Sequence, residues 1–101
     1  MLYVALLRST FDPLTGELPR EIVEERFARS LNRLIETGDY TLKDGQTARE
    51  AAHSVLLVLA REREGDYAWL ANSMDVASHR YLYRLTARAH RAIEALDRLE
   101  D

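Results

Sequence analysis

The stretch LANSMDVASHRYLYRLTARAHR, from Leu70 to Arg91, decides the fold predicted from this sequence. It contains no Gly and no Pro, the residues that most often interrupt a helix. Four of its residues are unfavourable inside a helix but favourable as helix caps: Asn72, Ser73, Asp75 and Ser78. The segment from Asp66 to Asp101 is therefore predicted to be helical, with a break near Asp75.

The apolar residues of this segment favour a helix that packs along its length against another helix. They are spaced 3, 4, 3, 4 and 3 residues apart, the alternation found where two helices pack side by side. The members of this predicted seam are Leu82, Leu85, Ala89, Ala92, Leu96 and Leu99. We expect the seam to be buried, either inside the domain or between subunits.

Two earlier helices are bounded by residues typical of helix ends. The first follows Pro19, carries acidic residues in its first turn and is predicted to stop at Gly38. The second starts with the capping box formed by Thr47 and Glu50 and is predicted to stop at Gly65.

The N-terminal run MLYVALL is open to three interpretations: a strand, a helix or an extended arm. A lone strand would leave backbone groups unpaired unless it paired with its copy in another subunit, so we favour a helix or a docked arm. The sequence thus predicts an all-α fold, a small bundle of three to four helices with a short N-terminal apolar arm. It forms a single domain, with residues 1–18 as arm and turn and residues 19–101 as the helical domain.

Composition limits the classes of protein that this chain can belong to. With 101 residues, 31% of them charged, and a net charge of -3, it resembles ordinary globular domains rather than disordered or strongly basic chains. It has no cysteine, so disulfides and zinc-thiolate sites are excluded. The N-terminal run is too short to span a bilayer and lacks the pattern of a signal peptide. We therefore expect a cytoplasmic protein that does not contact a membrane.

The second predicted helix is apolar on more than one side, which favours self-association. One side carries the predicted core residues Ala48, Ala51, Ala52, Val55, Val58 and Leu59. The opposite side carries His53, Leu57 and Ala60, which are covered either by the N-terminal arm or by another subunit. We favour a homo-oligomer, and the residues predicted for its interface are His53, Leu57, Ala60, Leu82, Leu85, Ala89 and Leu96.

Few residue patterns point to chemistry. Glu50 and His53 have the spacing with which one helix presents a carboxylate and an imidazole to a metal, but the chain has only one such pair and Glu50 already has a capping role. No nucleophile elbow and no phosphate-binding glycine loop occur in the sequence. We therefore predict no enzyme activity, no metal and no cofactor.

The opening stretch also resembles a helix-turn-helix motif of DNA-binding proteins. The residues that carry the resemblance are Leu70, Ala71, Met74, Val76 and Tyr81, with Asp75 where such motifs have a turn glycine. From Val76 to Ile93 there are four Arg and no acidic residue, and on a helix these Arg would form one stripe. The residues predicted to bind nucleic acid or an acidic partner are His79, Arg80, Tyr83, Arg84, Arg88 and Arg91.

Two functions follow from these patterns. The main hypothesis is a small non-enzymatic helical protein that self-associates and binds a protein partner. The alternative is a helix-turn-helix-like regulator that binds DNA or RNA through Arg80, Arg84, Arg88 and Arg91.

Overall fold

A computed structural model describes residues 2–12, 14–60 and 68–100, which form helices and a three-stranded antiparallel sheet. In chain order the elements are α1 (Leu2–Thr10), β1 (Leu18–Pro19), α2 (Arg20–Glu36), α3 (Ala48–Leu59), β2 (Leu70–Asp75), β3 (Arg80–Leu85) and α4 (Ala87–Glu100). The prediction of an all-α bundle is therefore wrong, because the fold is α+β. Within the described residues, no helix is both long enough and apolar enough to cross a membrane.

The N-terminal run is a helix that is built into the core. Val4, Leu6 and Leu7 of α1 are buried, as is Phe11 directly after it. The end of α1 is tied down twice: the hydroxyl of Thr10 donates to the Leu6 carbonyl at 2.9 Å, and Arg26 of α2 donates to the Thr10 carbonyl at 2.8 Å. Of the three interpretations of this run, the strand is excluded.

The helices α2 and α3 begin where the sequence predicts. Pro19 precedes α2, and Gly38 follows it with a φ of 81°, a conformation that favours glycine. The capping box at the start of α3 is confirmed: the Thr47 hydroxyl accepts from the Glu50 amide, and the Glu50 carboxylate accepts from the Thr47 amide. The end of α3 is earlier than predicted, at Leu59, and the predicted stop at Gly65 lies outside the described residues.

The segment predicted as a broken helix forms a hairpin instead. Strand β2 pairs antiparallel with β3 from Leu70 opposite Leu85 to Asp75 opposite Arg80, and β1 pairs with the other edge of β3. The predicted interruption near Asp75 does occur, but it is a turn between two strands and not a break in a helix. The predicted helix-turn-helix is therefore wrong. The predicted helical seam is also wrong for its first two residues, Leu82 and Leu85, which lie on β3.

The turn between β2 and β3 is formed without glycine. The Asp75 carboxylate accepts from the Ala77 amide at 3.3 Å and from the Ser78 hydroxyl at 2.7 Å. His79 takes the left-handed conformation, with a φ of 56°, at which a glycine would be expected. Side-chain hydrogen bonds to the local backbone thus replace the usual turn signal.

The helix α4 closes the core from the C-terminal side. The Thr86 hydroxyl accepts from the Ala89 amide at 3.2 Å, which caps α4, and it donates to the Ala68 carbonyl at 2.8 Å. Of the predicted seam, only Ala89 is fully buried; Leu96 is half-buried and Leu99 is 79% exposed. The central core residues are Leu7, Val23, Phe27, Leu31, Ala52, Leu56, Leu59 and Leu70.

Candidate interaction surfaces

The helix α3 presents apolar side chains on two sides. Its buried side consists of Ala51, Ala52, Val55, Leu56 and Leu59. On the other side Leu57 is 53% exposed and Val58 is 47% exposed, although Val58 had been predicted to face the core. Among the predicted interface residues on this helix, Leu57 is exposed, whereas His53 and Ala60 are half-buried. We call the exposed side of this helix, with Leu57 and Val58 at its centre, the α3 face.

A cluster of ionisable groups borders the α3 face and fastens α3 to α2. The Nδ1 atom of His53 lies 2.8 Å from an oxygen of Glu24 and 2.9 Å from a guanidinium nitrogen of Arg20. One ring nitrogen cannot both donate to Glu24 and accept from Arg20, and the carboxylate is the stronger partner. We therefore assign the proton to Nδ1, which donates to Glu24.

In this cluster the side chains of Glu50 and His53 contact different partners. The Glu50 carboxylate is used by the capping box, and His53 turns towards Glu24 of the neighbouring helix. Arg49 approaches the second oxygen of Glu24 at 3.9 Å. Within residues 2–12, 14–60 and 68–100, no three His, Asp or Glu side chains are grouped as metal ligands.

The hairpin divides the residues that were predicted to bind nucleic acid. Because side chains alternate along a strand, Arg80 and Arg84 of β3 lie on one side of the sheet and Tyr83 on the other. Tyr83 is 4% exposed, and its burial raises the pKa of its hydroxyl. The prediction that the four Arg form a helical stripe is wrong, because Arg80 and Arg84 are on a strand.

The remaining predicted residues lie on the turn and on α4. His79 is an exposed residue of the turn, and Arg91 is an exposed residue of α4. The guanidinium of Arg88 lies 4.1 Å from the centre of the Trp69 ring, so this half-buried Arg has a cation–π partner within the domain.

The two exposed Arg of β3 lack an acidic partner within the described part of the chain. The ion pairs found there do not include Arg80 or Arg84. Asp75 stands opposite Arg80 in the register, but its carboxylate accepts hydrogen bonds from the turn. Glu17, near β1, accepts from the Ser73 hydroxyl at 2.7 Å.

The end of the hairpin carries exposed apolar side chains that sequence reasoning did not assign to a surface. Met74 and Tyr81 are directly opposite each other on the two strands and are 47% and 44% exposed, while Val76 in the turn is 80% exposed. The alternation of Tyr81, Tyr83 and Leu85 was the available signal for this strand. It was obscured because Leu85 also fits the helical spacing.

A third surface feature is a group of ion pairs between the first helix, α1, and the last helix, α4. Arg8 of α1 contacts Asp97 at 3.1 Å and Glu100 at 2.7 Å, both on α4. The hydrogen bonds from Arg8 lower the pKa of the Glu100 carboxyl. Beside them lies a crevice of about 430 Å³ whose lining includes Phe11, Leu85 and His90.

The comparisons with known proteins identify a family without a known activity. The chain belongs to the family described as "Protein of unknown function (DUF3375)", whose model matches residues 1–101. A comparison with curated proteins and one with solved structures each found no match.

Proposed function

We propose that this member of the DUF3375 family is a non-enzymatic assembly protein that self-associates through the α3 face. The observation that supports this proposal is the exposure of Leu57 and Val58. Five other apolar residues of α3 already fill the core, so these two are not required for folding of the single chain. A larger exposed apolar patch marks a surface that is buried on association, and Leu57 and Val58 supply the apolar centre of such a patch.

The partner that we propose for the α3 face is a second copy of this chain. In a twofold dimer the same patch meets itself, so the patch must not repel its own copy. The exposed charged residues of α3 are Arg49 and Glu50, one of each sign, and they leave this helix without net charge. Two α3 helices can therefore approach each other without like-charge repulsion.

The expected strength of this association is modest. Burial of an apolar side chain of this size stabilises by about 1.5–3 kcal/mol when complete, and only about half of each side chain is exposed and can still be buried. A stable interface also buries about 1,200–2,000 Å², so Leu57 and Val58 are its centre and the surrounding residues its rim. We expect dimers that dissociate on dilution.

The cellular setting is part of the same proposal. The sequence contains no cysteine, a composition that fits a reducing cytoplasm. Fractionation of cells that express the tagged chain would test this location.

Sedimentation velocity over a range of protein concentrations tests the proposed dimer. The wild type should shift from monomer to dimer as concentration rises, whereas Leu57→Glu should remain a monomer because a carboxylate would be buried at the centre of the interface. Leu14→Glu is the matched control, because Leu14 is 96% exposed and lies outside α3. It should dimerise like the wild type.

Two outcomes would contradict the proposal. One is a wild type that stays monomeric at the highest concentration reached. The other is a Leu57→Glu variant that dimerises as well as the wild type and has the same melting temperature.

A further inference from the structure

We propose that the outer side of the hairpin, defined by Arg80, Arg84 and Ser73, binds the phosphate backbone of a nucleic acid duplex. This inference concerns a different surface from the α3 face and does not depend on self-association. It rests on three observations: the placement of the two Arg, the engagement of the nearby acids, and the apolar end of the hairpin.

The two Arg are held at a fixed separation. They are four residues apart on β3, which at about 3.3 Å per residue places their Cα atoms about 13 Å apart. The strand pairs with β2 over its whole length and with β1 at Leu82 and Tyr83, between the two Arg, which limits the movement of its backbone. Two guanidiniums at this distance reach two different phosphates of one duplex.

The acidic groups near these Arg are bound by other groups of the domain. The Asp75 carboxylate holds the turn, and the Glu17 carboxylate accepts from Ser73. Neither carboxylate is within ion-pair distance of Arg80 or Arg84 in the described part of the chain. Binding to a phosphate would therefore not require an existing ion pair of these Arg to break.

The end of the hairpin favours a duplex over a single strand. Single-stranded nucleic acid is bound by aromatic side chains on which bases stack. The aromatic residues of β3, Tyr81 and Tyr83, lie on the opposite side of the sheet from the two Arg, and Tyr83 is buried. The end of the hairpin extends beyond the pairing with β1 as a two-stranded ribbon, a shape that fits the major groove of about 12 Å, where exposed Val76 at the turn can contact base methyl groups.

Fluorescence anisotropy with a labelled 20-base-pair DNA duplex, at salt concentrations from about 50 to 200 mM, tests this inference. We expect the double variant Arg80→Ala/Arg84→Ala to bind at least about tenfold more weakly than the wild type at the lowest salt. The slope of log affinity against log salt should become shallower by about 1.8, because two phosphate contacts are lost.

The double variant Arg29→Ala/Arg98→Ala is the matched control. It makes the same change in net charge, but Arg29 lies on α2 and Arg98 on α4, away from the hairpin, and each is paired with an acid four residues earlier on its own helix, Glu25 and Glu94. It should keep the affinity and the salt slope of the wild type. Equal melting temperatures of both double variants would show that each is folded.

Three results would overturn the inference. The first is a wild type that does not bind the duplex at the lowest salt. The second is an equal loss of binding in both double variants, which would assign binding to bulk charge. The third is binding of the wild type to vesicles of anionic phospholipid with the same dependence on Arg80 and Arg84, which would assign the surface to a membrane instead.

Discussion

The α2–α3 pair and the β2–β3 hairpin line the same core with apolar residues that recur at different periods. In α2 the buried residues Val23, Phe27 and Leu31 recur every four positions. In the hairpin, Leu70 and Tyr83 are buried while their neighbours in sequence are not. The helices also begin at residues that are typical of helix starts, Pro19 and the capping box of Thr47 and Glu50, whereas the hairpin turn has no Gly or Pro. The contrast shows that end signals, more than apolar content, decide whether an element can be found from sequence.

The substitution with the largest expected effect tests how much the α2–α3 pair contributes to the stability of the core. Phe27→Ala removes a side chain with no exposed surface and should lower the free energy of unfolding by about 3–5 kcal/mol. Urea denaturation followed by circular dichroism measures this change. Leu14→Ala, at a side chain that is 96% exposed, should change it by less than about 0.5 kcal/mol.

The next prediction tests whether the hairpin belongs to the same cooperative unit. Leu70 is 1% exposed, and Leu70→Ala should lower the free energy of unfolding by about 2–5 kcal/mol. Circular dichroism of the helices and fluorescence of Trp69, next to the hairpin, should then show one coincident transition. A fluorescence change at lower urea than the loss of helix would mean that the hairpin unfolds separately from α2 and α3.

Substitution of the two capping threonines compares the α2–α3 pair with the hairpin side of the domain, with smaller expected changes in the free energy of unfolding. Thr47→Ala removes the capping box of α3 and should cost about 1 kcal/mol. Thr86→Ala should cost more, up to about 2 kcal/mol, because its hydroxyl both caps α4 and bonds the Ala68 carbonyl. The Thr→Ser variants keep the hydroxyl and serve as controls. A loss in Thr86→Ala that is no larger than the loss in Thr47→Ala would contradict the additional contribution expected from the bond to Ala68.

These comparisons also explain how much could be predicted from the sequence. The starts of α2 and α3 and the helical part of α4 were predicted, because caps act locally. A break near Asp75 was also predicted, but as a break in a helix and not as a turn between two strands. The strands were not, because Leu85 satisfies both a period of two and a helical spacing. The position of Arg80 and Arg84 on one side of a sheet depends on pairing between β2 and β3, which no local pattern shows.

The exposure of the residues proposed for the interaction surfaces was predicted only in part. Leu57 was placed on an exposed strip of α3, but Val58 was assigned to the core because the predicted core side of the helix was centred too close to Val58. In the fold Leu56 takes the buried position instead. The contact of His53 with Glu24 joins two helices and could not be found from the spacing of His53 and Glu50 within one helix.

The smallest expected effect concerns the ion pairs of Arg8, which connect α1 of the helical half to α4 beyond the hairpin. Arg8→Ala should destabilise the protein slightly at neutral pH, because these pairs are exposed and screened by salt. The folded-state pKa of Glu100 is lowered by Arg8, so this stabilisation is complete above the ordinary glutamate pKa of about 4.3 and is lost as the pH falls through the lower folded value. Melting temperatures of wild type and Arg8→Ala should therefore converge as the pH is reduced from 7 towards 3, and also in about 1 M salt. A difference that persists under both conditions would mean that Arg8 acts by packing its carbon chain between α1 and α4 rather than by its charge.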